Sequence, residues 1–256
     1  MAEARVIAVA NQKGGVGKTT TAVNTAASLA AAEKRVLLVD ADPQGNSTSG
    51  VGISQEMVEN SIYKLFTGEC RMDELAIDTC LPHLKLVPSS TELFGAEVEL
   101  VGREGREMIL RDALVPLLAD FDYIIIDCPP ALSLLTINAL SAAKTVLIPV
   151  QCEYYALEGL SQLMKTLELV KDALNPALDV EGVLLTMYDG RVKLSREVVE
   201  EVRKHFGDKV YETMIPRNVS LSEAPSFGKP IITYDIRSKG AQSYLSLARE
   251  VIQHGC

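Results

Sequence analysis

Apolar residues along this chain fall into short unbroken runs, each followed by a polar turn and then by a segment with helical spacing. Val6-Ile7-Ala8-Val9-Ala10 is the first run. Arg35-Val36-Leu37-Leu38-Val39-Asp40, Leu84-Lys85-Leu86-Val87-Pro88, Tyr123-Ile124-Ile125-Ile126-Asp127, Lys144-Thr145-Val146-Leu147-Ile148-Pro149-Val150 and Val180 to Thr186 repeat the theme. Runs of this length without polar alternation read as strands buried on both faces, the habit of a parallel sheet. Thr213-Met214-Ile215-Pro216 reads as a last strand. Helical patterns cover Thr20 to Ala32, Leu157 to about Leu174, Ser195 to Phe206 and Lys239 to about Ile252. A charged helical stretch from Thr91 to Ala119 is broken near Gly102 and Gly105. Residues 51–83 read as short helices, Pro43 to Gly50 as a polar loop, and Arg217 to Lys229-Pro230 as a long loop. Strand and helix alternate from end to end. The prediction is one α/β domain over 1–256, with a mostly parallel central sheet and helices on both faces.

The chemistry concentrates between the first strand and the first helix, in Asn11-Gln12-Lys13-Gly14-Gly15-Val16-Gly17-Lys18-Thr19-Thr20-Thr21. Small residues let the backbone curl so that its N–H groups face anionic oxygens, and the helix that follows adds the positive end of its dipole. Lys18 would reach the β- and γ-phosphates and the Thr19 hydroxyl would hold Mg²⁺. The usual G-x-x-x-x-G-K-[ST] pattern has its first glycine where this chain has Gln12, and Lys13 is an additional cation on the loop. An ordinary strand-to-helix turn needs neither two lysines nor a threonine run, so the nucleotide reading is preferred. Two strands also end in acid, at Asp40 (with Asp42 close behind) and at Asp127, which delivers carboxylates to the same edge of a parallel sheet.

Composition narrows the class. Hydrophobic residues make up 47% of the chain with no apolar run near twenty residues, so no membrane-spanning helix is expected. The only early apolar run is the first strand, which leaves no signal-peptide pattern and predicts a cytoplasmic protein. The five cysteines, Cys70, Cys80, Cys128, Cys152 and Cys256, include no C-x-x-C pair, so reduced thiols are expected. Cys128, beside Asp127, reads as a small core hydrophobe rather than a nucleophile. Net charge is −9, yet residues 189–256 hold eleven Lys/Arg against nine Asp/Glu, a net of +2 that leaves −11 for the first 188. A basic face in the last quarter is therefore open, although such charges usually just solvate helices.

Lys13 to Thr19, the Val39-Asp40-Ala41-Asp42-Pro43-Gln44-Gly45-Asn46 segment, Ile126-Asp127-Cys128-Pro129-Pro130 and Ile215-Pro216-Arg217-Asn218 together resemble the ParA (Soj) branch of the deviant-Walker P-loop ATPases. The four motifs keep that family's order and span the chain. The resemblance implies a slow, partner-stimulated Mg²⁺-dependent ATPase. Lys18 and the backbone of Gly14, Gly15, Val16, Gly17, Thr19 and Thr20 would hold the phosphates of ATP, and Thr19 would ligate Mg²⁺. Asp127 would act on the metal through water, Asp42 would orient or activate the attacking water, and Asp40 would support the metal shell. Lys13 would be the signature lysine that crosses to the partner's phosphates in an ATP-dependent homodimer, and Met187, Pro216, Arg217 and Asn218 would face the adenine. The family further implies nonspecific binding of double-stranded DNA, a ParB-type partner and a nucleoid-associated location, in the service of chromosome or plasmid partitioning. Candidate DNA-facing cations are Arg191, Lys193, Arg196, Arg203, Lys204, Arg217, Lys229, Arg237 and Lys239. Ser220 departs from the family, which often carries a basic residue there.

Three other classes fit the sequence less well. A membrane-cycling ATPase resembling MinD needs a basic amphipathic C-terminal helix, which the ending Arg249-Glu250-Val251-Ile252-Gln253-His254-Gly255-Cys256 does not add. A reductase resembling nitrogenase iron protein needs cluster-binding cysteine motifs that Cys128 and Cys152 do not supply. A non-enzymatic scaffold with a vestigial loop would not need both Asp42 and Asp127.

Overall fold

The computed structural model describes residues 3–153 and 156–254. Tyr154, Tyr155 and Cys256 thus lie outside the described residues. The strands are β1 (Arg5–Val9), β2 (Val36–Asp40), β3 (Ile77–Asp78), β4 (Leu84–Val87), β5 (Tyr123–Asp127), β6 (Thr145–Gln151) and β7 (Asp179–Thr186), in one sheet of order β3-β4-β2-β5-β1-β6-β7. Every pairing is parallel except β3 with β4. The helices are α1 (Lys18–Ala31), α2 (Asn46–Gly50), α3 (Ile62–Thr67), α4 (Met72–Leu75), α5 (Leu93–Glu99), α6 (Ile109–Leu114), α7 (Leu134–Ala142), α8 (Ala156–Ala173), α9 (Lys193–Phe206), α10 (Val219–Glu223), α11 (Ile231–Tyr234) and α12 (Lys239–Gln253). The predicted α/β architecture is the observed one.

The apolar runs are explained by two cores, one on each face of the sheet. Successive strand residues point to opposite faces, so Val6 and Ala8 join one core while Ile7 and Val9 join the other. β2 and β5 divide in the same way: Leu37, Val39, Ile124 and Ile126 face one side, and Val36, Leu38 and Ile125 face the other. On the second face α1 packs beside α12, with Leu29 and Leu247 fully buried, each contributing roughly 1.5–3 kcal/mol from removal of apolar surface from water. Tyr244 of α12 sets its hydroxyl 3.2 Å from the Thr21 hydroxyl of α1. α1 is thereby seated directly behind the loop that precedes it.

Several expectations are corrected. Thr213 to Pro216 forms no strand; it lies against β7 through the Ile215 amide, which donates to the Leu185 carbonyl at 2.9 Å, and through the isolated bridge Tyr188↔Pro216. Pro216 has no N–H to give a ladder, and the Glu212 and Thr213 amides donate to the Glu250 carboxylate of α12 instead, at 2.9 Å each. The loop expected over 217–230 contains α10, capped by the Asn218 side chain, and a 3₁₀ turn over Ala224–Phe227. The stretch 91–119 yields α5, α6 and a 3₁₀ turn over Val115–Leu117, broken where Gly102 and Gly105 adopt positive φ. The polar loop 43–50 contains α2, and α7 was not anticipated.

Candidate nucleotide site

β1, β2 and β5 end side by side, and the residues that follow them build one site. Asn11 fixes the exit from β1: its side-chain amide donates to the Pro149 carbonyl on β6 at 2.8 Å, and its Oδ1 accepts from the Lys13 amide at 3.0 Å. Gly15 and Gly17 then take φ of 75° and 88°, the left-handed region that turns the chain back on itself. A Cβ built on Gly14, Gly15 or Gly17 meets no protein atom within 4 Å. Glycine here serves backbone conformation and approach from outside, not internal packing. Lys18 opens α1 with only 7% exposure, and its Nζ donates to the Lys13 carbonyl at 3.2 Å. Burial lowers the Lys18 pKa, while the nearby Asp127 carboxylate works to raise it.

Asp40 and Asp127 are register partners on β2 and β5, and both are fully buried. Asp40 Oδ2 accepts from the Thr48 amide and hydroxyl at 2.7 Å each, and its Oδ1 accepts from the Asp42 amide at 3.3 Å. Asp127 Oδ2 accepts from the Ser47 hydroxyl at 2.8 Å, but its Oδ1 is buried with no hydrogen-bond partner among the described residues. Burial pushes both carboxyls well above the usual range. The neighbouring Asp127 charge adds to the effect on Asp40, while the Ser47 hydrogen bond and the nearby Thr19 hydroxyl oppose it on Asp127. Asp42 is 6% exposed and lines a cavity of about 180 Å³ together with Pro129 and Pro130. The bare Asp127 oxygen and the Thr19 hydroxyl fit a small hard cation, which takes oxygen ligands and keeps water around it.

On the other side of the loop a cavity of about 620 Å³ opens beside Gly17 and Thr20, lined by Met187, Pro216, Arg217 and Asn218. Thr186 ties β7 to the loop by donating its hydroxyl to the Val16 carbonyl at 2.9 Å. All four residues expected on the adenine side therefore share one cavity. Lys13 has a half-buried side chain whose Nζ lies 3.8 Å from Glu153, and Glu153 also lies 3.3 Å from Arg217.

The nine basic candidates divide into two groups. Arg191, Lys193, Arg203, Lys204 and Arg217 pair with Asp189, Glu197, Glu212, Glu201 and Glu153 respectively. Arg196, Lys229, Arg237 and Lys239 are exposed and have no carboxylate partner among the described residues. Cys128 is buried, and burial pushes its thiol far up, as a core hydrophobe requires. Ser47, Thr48 and Glu153 were not singled out from sequence. The first two lay inside a segment read only as a polar loop; the third needs the fold to bring it to Lys13.

The family model described as an AAA domain matches residues 4–180. The chromosome partitioning protein ParA of Myxococcus xanthus is 61% identical over 249 residues, covering 97% of this chain and 88% of that protein. The sporulation initiation inhibitor protein Soj of Bacillus subtilis is 57% identical over 251 residues, covering 98% and 99%. Among solved structures, cobyrinic acid a,c-diamide synthase from Mycobacterium smegmatis with bound ADP and magnesium is similar at TM-score 0.86 and 38% identity, covering 98% of this chain and 95% of that one. The glycine loop, the paired strand-end acids and near full-length similarity agree: the chain belongs to the ParA/Soj family of P-loop ATPases.

Proposed function

We infer that this chain is an Mg²⁺-dependent ATPase acting as a dimerising switch in the partitioning of a chromosome origin or plasmid. The observation that carries this reading is the bare, buried Oδ1 of Asp127 beneath an open glycine loop, beside Lys18 and Asp42. A buried acceptor without a donor is rare unless something from outside completes it. Lys18 and the amides of residues 14–20 bind the phosphates of ATP, and Met187, Pro216, Arg217 and Asn218 take the adenine side. Thr19 and Asp127 would hold Mg²⁺, which when bound would neutralise phosphate charge. Asp42 orients the attacking water and accepts its proton. Asp40 holds the Asp42 backbone and Thr48 in place.

Lys13 sits on the same loop as Lys18 with its side chain directed to Glu153, so it is available to a second protomer. A lysine supplied across an interface acts as an arginine finger does, adding positive charge as the bond to the leaving group breaks. ATP then joins two protomers and hydrolysis separates them. The dimer binds duplex DNA without sequence preference through cations of residues 191–239, a ParB-type partner stimulates hydrolysis, and the protein works on the nucleoid in the cytoplasm. The partitioning name of the Myxococcus xanthus relative supports the partitioning role.

The test has two arms. Asp42→Ala should lower turnover by about 10²–10⁴, the usual worth of general acid–base catalysis, and accumulate as a dimer in ATP and Mg²⁺ by light scattering. An Asp42→Ala protein that stays monomeric at saturating ATP removes the switch. Retention on nonspecific duplex should require ATP and fall steeply with salt; ATP-independent or salt-insensitive retention removes the DNA arm.

A further inference from the structure

Glu153 occupies a position that the site as described does not use. It stands just beyond the end of β6, where the Gln151 side-chain amide donates to its Oε1 at 2.6 Å. Its two oxygens are divided between two cations from distant parts of the chain: Oε2 lies 3.8 Å from Lys13 Nζ, and Oε1 lies 3.3 Å from Arg217 Nη2. The Lys13 backbone is committed elsewhere, since its amide is held by Asn11 and its carbonyl accepts from Lys18. With the main chain fixed, the side chain is left to leave the loop, and Glu153 is the carboxylate that meets it.

Both cations have a proposed task away from Glu153, Lys13 on the phosphates of a second protomer and Arg217 at the adenine cavity or on DNA. One carboxylate therefore competes for both. We propose that Glu153 is a positioning residue that parks Lys13 and Arg217 on their own protomer and so raises the ATP concentration needed to form the dimer. This rests on the dimerising reading above. The bond must be weak to serve this purpose. With side-chain exposures of 34% for Lys13 and 46% for Glu153, the pair is worth up to about fivefold in an equilibrium constant. A dimer releases two such pairs, so parking can shift the dimerisation constant by up to about 25-fold.

The experiment is analytical ultracentrifugation of the full chain and of Glu153→Gln with a non-hydrolysable ATP analogue and Mg²⁺, at low and at high salt. Glu153→Gln keeps the size of the side chain and removes its charge. Its dimerisation constant should exceed wild type by roughly 3- to 25-fold at low salt, and the difference should close as salt screens the wild-type pair. A structural role would leave that salt dependence unmoved and would show in the thermal unfolding of the nucleotide-free monomers, which should agree within about 0.5 kcal/mol. Wild type that stays monomeric removes the switch and the parking together. Wild type that dimerises with Glu153→Gln superposed on it removes the parking alone. A weaker dimer in Glu153→Gln overturns the proposal by placing Glu153 among the contacts that hold the dimer.

Discussion

Buried carboxylates stand at both edges of the sheet where strands begin and end, on β7 at one and on β2 and β5 at the other, and the two edges treat them differently. At the edge where β1, β6 and β7 begin, Glu181 is paired with Arg5, and its Oε2 accepts from the Thr145 hydroxyl at 2.6 Å. The Tyr211 hydroxyl donates to its other oxygen at 3.4 Å, and Arg5 also donates to the Val251 carbonyl of α12 at 2.8 Å. At the edge where β2 and β5 end, Asp40 and Asp127 have hydroxyls and amides but no bonded cation, and one oxygen of Asp127 has no partner. An acid folded together with its own cation is architecture. An acid folded without one is completed by something the chain does not contain.

The sharpest way to break this comparison is to remove the cation from the end that has one. Arg5→Ala leaves Glu181 buried and unpaired, which should cost about 3–5 kcal/mol in urea unfolding while nucleotide affinity per folded molecule is kept. A loss under about 1 kcal/mol would mean that Glu181 is no more dependent on a partner than the acids at the other edge.

Lys18→Ala makes the converse change. It should lower ATP affinity on the order of a hundredfold by calorimetry, the worth of about 3 kcal/mol of charged hydrogen bonds to phosphate, with the fold retained. Lys18 spends its own bond on one backbone carbonyl, so little internal structure depends on it. If the substitution unfolds the chain and spares binding among folded molecules, the two edges have been read the wrong way round.

The pH dependence sharpens the contrast further. Asp40 is raised from the ordinary range near 3.8 to about 8 by burial and by the Asp127 charge. The folded chain thus keeps a proton that the unfolded chain has released, and this contribution to stability is full below pH 4 and lost as pH rises toward 8. Without nucleotide, the stability of wild type minus that of Asp40→Asn should fall by about 2 kcal/mol between pH 6 and 8, and ATP with Mg²⁺ should flatten the slope. A difference that rises with pH would show that Asp40 has a cation after all.

This comparison also marks what the sequence could disclose. The edge that awaits a ligand was legible because parallel strands are continuous apolar runs, so an acid at the end of one, as in Ile126-Asp127, stands out, and glycines around Lys18 have no other structural reason. The Arg5–Glu181 pair was not legible: both residues sit within or beside apolar runs, and only the sheet order brings β1 and β7 to either side of β6. α7 escaped notice because Leu134-Leu135-Thr136-Ile137-Asn138-Ala139-Leu140-Ser141-Ala142 shows no charged face; even Asn138 is buried, donating to the Arg106 carbonyl at 2.8 Å. Ser47 and Thr48 read only as part of a polar loop, because neither the fold-back of that loop onto Asp40 at the end of β2 nor the placement of Asp127 beside it is written in the sequence.

The smallest expected effect is the most selective. Cys128 follows Asp127 directly and lies within the charge of the site, yet its thiol only approaches the Ile126 carbonyl, at 3.9 Å, and packs in the core. A nucleophile or ligand needs a lowered pKa; here burial and the Asp127 charge outweigh the lowering influence of Lys18 and drive the thiol far up. Cys128→Ala should therefore cost about 1 kcal/mol in unfolding free energy, the price of one small buried group, and leave ATP turnover within about twofold of wild type. Turnover lost by tenfold or more, with stability unchanged, would put Cys128 into the chemistry and make the ligand-awaiting edge a set of three groups rather than two acids.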